Sequence, residues 1–162
     1  MYIVVGLGNP GEEYSHTRHN TGRMATEFVS GKVSDIKILT LDTFMNKTGT
    51  AVAKVVKSKK AAEKLVVIYD DLDLPLGTLK ISYNRSSGGH KGLESIIRAL
   101  KTKEFTRIRI GIGKKEDVEK YILGEFRKPE LETLKKVFKK VTEAVQMIAE
   151  EGREKAMNKF NS

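Results

Sequence analysis

Residues 1–22 read MYIVVGLGNPGEEYSHTRHNTG, a short apolar run that breaks into a glycine-rich polar loop holding two of the three histidines. Tyr2-Ile3-Val4-Val5 is β-branched, too short for a helix and closed by glycine, which predicts a buried strand. Gly6, Gly8, Pro10 and Gly11 predict a tight turn, leaving Asn9 and the residues after it at the carboxyl end of that strand. In open α/β sheets ligands bind at that edge. Gly6 to Gly11 also fits G-x-G-x-x-G, but the nucleotide reading of that pattern needs a helix opening on the third glycine. Residues 12–20 lack helical apolar spacing, and the first helix is expected over 21–31. No acidic residue closes a second strand where a ribose partner belongs, so the fingerprint is set aside.

Working outward, Ile36, Ile38, Leu39 and Leu41 predict a second strand, followed by the polar turn Thr43-Phe44-Met45-Asn46-Lys47-Thr48-Gly49 and a helix carrying Ala51, Val52, Val55 and Val56. In that turn, taken alone, Phe44 and Met45 read first as core and Asn46 as a helix N-cap, and second as site residues. Leu65 to Tyr69 is the most apolar run and predicts a central parallel strand buried on both faces. It leads into Asp70, Asp71 and Asp73, oxygen ligands of the kind Mg²⁺ or Ca²⁺ takes, but without a P-loop or an EF-hand loop around them. Leu79 to Tyr83 alternates as a half-buried strand. The loop NRSSGGHKG at 84–92 places His90 before a helix reaching Leu100, with Arg85 and Lys91 as an anion-binding pair. Arg107 to Gly113 predicts a strand with Arg107 and Arg109 on one face. Residues 114–129 are charged and broken. From Glu130 an apolar stripe keeps helical spacing, with Lys135, Lys136, Lys139 and Lys140 off it. It is a docking helix first and a phosphate-facing lysine row second. Gly152 ends it, and NKFNS is expected to fray.

A chain of 162 residues is read as one domain over 1–162, with a C-terminal helical segment about 116–152. It has no cysteine, so disulfides, thiol nucleophiles and thiolate metal sites are excluded. No apolar run approaches a membrane span, and the expectation is a soluble cytoplasmic protein with no membrane partner. The net charge is +9, from 30 Lys and Arg against 21 Asp and Glu, which favours a polyanionic partner through attraction and counterion release. Aromatic residues make up 7% with no Trp, so contacts to phosphate outweigh base stacking.

The polar residues at strand ends are Asn9 with His19, Asn46, Asp70, and the loop with His90 and Lys91. His19 is the proton handler, with Asp70 fixing its tautomer and raising its basicity. Without a thiol or a G-x-S-x-G elbow, such a pair activates water. Asparagine amides supply donors for a carbonyl or an oxyanion. The chemistry expected is ester hydrolysis, whose alkoxide leaving group needs less help than an amine. His16 and His19 lack an H-e-x-x-H frame, which argues against zinc. His90 reads equally as a loop-holding residue and a catalytic one.

VVGLGNPGEEYSHTRHNTG, TFMNKTG, YDDLDLPLG, SSGGHKGLESI and RIRIGIG, in that order, resemble the bacterial-type peptidyl-tRNA hydrolases over most of the chain. The resemblance implies a single-domain α/β fold, phosphorylase/hydrolase-like, with a twisted, mixed and mostly parallel sheet flanked by helices. It implies a monomer without cofactor or metal that cleaves the ester between a peptide and the terminal ribose of tRNA. His19 resembles the family's catalytic base and Asp70 its supporting carboxylate. Asn9, Tyr14, Phe44, Met45 and Asn46 match substrate contacts, and Arg109 matches a residue facing tRNA phosphate. Two positions depart from the family. Lys91 stands where asparagine is usual, and Ser82 where a phosphate-binding lysine is found, leaving Lys80, Arg85 or Lys91 to substitute. The segment before TFMN is short, so an edge strand or two is expected to be missing. The alternative reading is a non-catalytic RNA-binding module of the same fold.

Overall fold

In the computed structural model, which describes residues 1–161, the apolar runs become five strands: β1 Tyr2–Gly6, β2 Ile36–Leu39, β3 Leu65–Asp71, β4 Leu79–Tyr83 and β5 Thr106–Gly111. Their order is β2-β1-β3-β5-β4. All neighbours are parallel except β4, which runs antiparallel to β5 at the sheet edge. β3 lies at the centre with its first six residues buried, as its unbroken apolar run demands. β4 is half-buried, and the four-residue β2 forms the opposite edge by itself.

The helices are α1 Thr21–Val29, α2 Thr48–Ala53, α3 Lys59–Ala62, α4 Lys91–Leu100, α5 Val118–Leu123, α6 Lys128–Glu151 and α7 Arg153–Phe160. Val4, Val66, Ile68, Ile108 and Ile110 meet α1, α6 and α7 on one face of the sheet, through Ala25, Val29, Leu134, Val141, Ile148 and Ala156. Val5, Leu65, Val67 and Tyr69 meet Val52, Ala62, Leu93 and Ile96 of α2, α3 and α4, and Val56 of the turn between α2 and α3, on the other. The period-2 alternation of the strands thus feeds two cores, one on each side.

Three expectations are corrected. The helix after residue 48 is two pieces, because Val55 and Val56 close a turn before Ser58 caps α3 through Ala61. Within the charged stretch 114–129, Asp117 caps α5 by accepting from the Lys120 amide. Residues 158–160 do not fray but finish α7, and the Asn161 side chain pairs with both backbone groups of Ile81 on the open edge of β4 (2.8 Å each). The amide acts there as a one-residue strand; Ser162 lies outside the described residues.

Candidate active site

The loop after β1 and the start of α1 are locked by backbone proximity. Gly22 of α1 faces the Ile68 carbonyl and the Leu7 amide so closely that any Cβ would collide with them, and Gly6 faces Gly22 in the same way. The glycines of the first loop therefore seat α1 on the strand ends; they do not cradle phosphate. The single 3₁₀ turn Arg18–Asn20 precedes α1 and carries His19 inward. Asn20 accepts from the Asn9 amide (2.9 Å) and donates to the Asn9 carbonyl (2.8 Å). The Met45 amide donates to Asn9 Oδ1 (2.9 Å), which assigns the amide orientation and leaves Asn9 Nδ2 without a partner among the described residues.

Asp70, at the end of β3, is 4% exposed. His19 Nδ1 lies 2.8 Å from Asp70 Oδ2, and His90 Nε2 lies 2.9 Å from Oδ1. His90 Nδ1 accepts from the Gly92 and Leu93 amides at the start of α4, so its hydrogen sits on Nε2 and is donated to Asp70. One residue therefore caps a helix and fixes the carboxylate. Asp70 in turn holds His19 with Nδ1 protonated, and His19 Nε2 has no partner among the described residues. Burial works against ionisation of Asp70, but the charges and hydrogen bonds of His90 and His19 outweigh it and hold its carboxyl well below the usual carboxylate range. Burial likewise opposes charging of His19, yet Asp70 wins and raises its pKa above 6.5, while the Lys91 ammonium pulls part of the way back.

These groups stand in a cleft of about 600 Å³. One wall is the 85–91 loop with Arg85, His90 and Lys91; the other is α5 with Val118, Ile122 and Leu123; Met45, His19 and Asp70 lie between. Because β4 runs antiparallel, the chain from Tyr83 must climb the full height of the sheet to bring His90 to Asp70. Arg107 steadies that climb. It is fully buried, donates to the carbonyls of Ser86 (3.4 Å) and Lys103 (2.8 Å), and stacks over Phe105 (4.2 Å). Arg18 steadies the other wall, donating to the Tyr121 carbonyl and pairing with Glu130.

The remaining expected residues, Asn9, Tyr14, Phe44, Asn46, Lys80 and Arg109, do not line this cleft. Tyr14 and Phe44 form an edge-to-face pair at 6.2 Å, with Phe44 52% exposed and so no part of the core. Asn46 is exposed and does not cap α2, which has no side-chain cap. Its carbonyl accepts from Ser95. Lys80 is exposed and donates to the Asn161 carbonyl (3.3 Å). Arg109 is 8% exposed and spends its guanidinium on Asp71 (2.9 Å) and Ser82 (3.1 Å). The three carboxylates after β3 diverge: Asp70 serves the histidines, Asp71 takes Arg109, and Asp73 is exposed. His19, Asp70 and His90 keep their ligand atoms within 4.8 Å of one another, a spacing that the two hydrogen bonds to Asp70 already account for. Asn20 and Arg107 were not separable in the sequence from ordinary loop and strand residues, since their partners lie 11 and 21 positions away, and His90, read equally as loop-holding and catalytic, does hold its loop but also reaches Asp70, 20 positions away.

The family model for peptidyl-tRNA hydrolase matches residues 3–162. The chain belongs to that family. A peptidyl-tRNA hydrolase from Thermodesulfovibrio yellowstonii is 42% identical over 99% of both chains, and one from Fervidobacterium nodosum is 43% identical over 99% of this chain and 96% of its own. Among solved structures, peptidyl-tRNA hydrolase from Acinetobacter baumannii superposes with a TM-score of 0.90 at 28% identity, covering 100% of this chain and 95% of that one. Family membership and the mostly parallel five-stranded fold agree with the reading of the five sequence motifs. Among the described residues no helix is long and apolar enough to cross a membrane.

Proposed function

We propose that this chain hydrolyses the ester joining an N-blocked aminoacyl or peptidyl group to the terminal ribose of tRNA, releasing free tRNA and peptide. The observation that carries the reading is the His19–Asp70 pair at 2.8 Å, with His19 Nε2 unpartnered on a cleft that also holds a lysine. His19 Nε2 takes a proton from water as the water oxygen bonds to the ester carbonyl carbon. Collapse of the tetrahedral intermediate breaks the bond to the ribose oxygen, which receives that proton from His19. Asp70 orients the imidazole and stabilises its charged form, without itself taking a proton. Asn9 Nδ2 and Asn46 hold the peptide end, Tyr14, Phe44 and Met45 contact the esterified residue, and Lys91 meets the carbonyl oxygen. Lys80 and Arg85, with Arg109 behind them, face tRNA phosphate. The step needs no metal, and the protein works as a cytoplasmic monomer.

The test is release of free tRNA from an N-acetylated aminoacyl-tRNA, beside the unblocked aminoacyl-tRNA and with EDTA in a parallel reaction. The expected outcome is cleavage of the blocked ester alone, undiminished by EDTA, and a loss of about 10²–10⁴-fold in His19→Ala. Retention of tRNA binding with no cleavage of either ester would leave the RNA-binding module instead, and loss of activity in EDTA would reopen the His19, Asp70, His90 cluster as a metal site.

A further inference from the structure

The positive charge of this protein is not spread over its surface. The two segments that cover one face of the sheet, residues 45–64 with α2 and α3 and residues 91–104 with α4, contain ten basic and three acidic residues, +7 of the chain's net +9. The helices on the other face, α1, α6 and α7, contain nine basic and seven acidic residues. The lysines of the first layer are also unengaged: Lys47, Lys54, Lys57, Lys59, Lys60, Lys91, Lys101 and Lys103 are all exposed and make no ion pair among the described residues. Arg98 has only a loose 3.9 Å contact to Glu94.

Helix electrostatics explains part of this. Lys54 and Lys101 stand at the C-caps of α2 and α4, where a cation is favoured by the macrodipole. Lys57 lies outside any helix, and Lys59 and Lys60 occupy the first turn of α3, where a cation is disfavoured. Folding therefore gives no reason for the Lys57, Lys59, Lys60 cluster. Its position does. The turn before α2 and the first residue of α4 both line the cleft, and both crossovers then descend to the amino ends of β3 and β5. The layer is a basic strip that begins at the cleft and ends at this cluster, roughly 17 Å lower for the span from Asp70 back to Leu65 of β3 at strand rise.

We infer that this strip is a docking surface for the phosphate backbone of the tRNA body, with the Lys57, Lys59, Lys60 cluster as its far end and the esterified terminus in the cleft. The inference rests on the substrate proposed above. An RNA stem presents phosphates continuously along its length, so one duplex whose end enters the cleft meets both ends of the strip, and recognition is by charge and shape, independent of base sequence.

The variant to test is Lys57→Glu/Lys59→Glu/Lys60→Glu, compared with Lys135→Glu/Lys139→Glu/Lys140→Glu on α6, which alters net charge by the same amount on the opposite layer. Glutamates in the first turn of α3 suit the helix dipole, so misfolding does not account for a loss; thermal melts check this. Binding of labelled uncharged tRNA is measured by anisotropy over a salt series. Hydrolysis is measured on N-acetyl-aminoacyl-tRNA and on the same blocked aminoacyl ester of a CCA trinucleotide. The α3 variant is expected to weaken tRNA binding and raise KM about tenfold, with a shallower salt dependence, by about 0.7–0.9 in log–log slope per lost phosphate contact. Its kcat and its action on the trinucleotide ester stay at the parent's values, and the α6 variant binds like the parent. Parent-like tRNA binding in the α3 variant, or an equal loss in the α6 variant, overturns the strip. Absence of hydrolysis by the parent protein overturns the proposed reaction instead, because uncharged tRNA reports on the strip without it.

Discussion

At the scale of single residues, the site turns on a carboxylate with both oxygens occupied. Asp70 has a histidine on each side, so it cannot rotate without losing one. The sign of the resulting pH dependence is fixed. His19 must be neutral to take a proton, and its pKa is raised, so kcat/KM climbs with pH through a midpoint above 6.5. In Asp70→Asn the burial and the Lys91 charge act unopposed, and the midpoint falls below 6.5 while the plateau drops by about 10²–10⁴-fold. In Lys91→Gln the midpoint moves to higher pH, because one of the two influences lowering it is gone. A pH–rate profile of the three proteins checks both directions, and a Lys91→Gln limb displaced to lower pH would place the ammonium out of reach of the imidazole. The pairing of His19 with Asp70 was legible from the motifs that carry them. His90 was half legible: its loop-holding role follows from a histidine before a helix, but its second bond depends on a strand 20 residues upstream.

At the scale of elements, the pieces that carry the site are held by close backbone approaches. Gly49 of α2 faces the Ser95 carbonyl of α4 with no room for a Cβ, and Ser95 Oγ accepts from the Gly49 amide (2.8 Å) and donates to the Asn46 carbonyl (3.2 Å). Gly49→Ala is expected to cost about 1–3 kcal/mol by forcing the helices apart. It should also lower kcat/KM, since Met45 and Asn46 ride on the start of α2. An unchanged melting temperature would mean that α4 yields freely. In the sequence Gly49 looks like a turn glycine, because the helix that needs it comes 46 residues later. The alternation of Arg107 and Arg109 likewise predicts their common face correctly, yet not their burial. Arg107 is held through its terminal nitrogens by carbonyls of two separate loops, its buried Nε having no partner among the described residues, and Arg109 is held by Asp71, and such partners leave no local pattern. The last helix is the opposite case: α7 has too few apolar positions to announce itself, and the polar side chain of Asn161 anchors its end.

For the molecule as a whole, the parallel order of β1, β3 and β5 brings the loops after them to one edge, and the apolar runs were enough to predict that. The antiparallel β4 was not predictable, because strand direction leaves no trace in composition, and with it comes the ascending loop that delivers His90. The groups around Asp70 meet through tertiary structure and not through local structure. The hydrogen bonds that define the site join residues 11, 36, 51 and 20 positions apart, across every strand crossover from β1 to α4. Helices form and collapse begins long before such distant pairings close. A refolding chain should accordingly regain its far-ultraviolet dichroism ahead of its hydrolytic activity, and stopped-flow dilution from denaturant followed by timed assay checks the lag. Synchronous recovery would show the sheet closing in a single concerted step. With the lag, the enzyme is its own folding probe: the partly assembled chain already displays the basic helices proposed to dock tRNA, but it has no means of hydrolysing the ester that the tRNA carries.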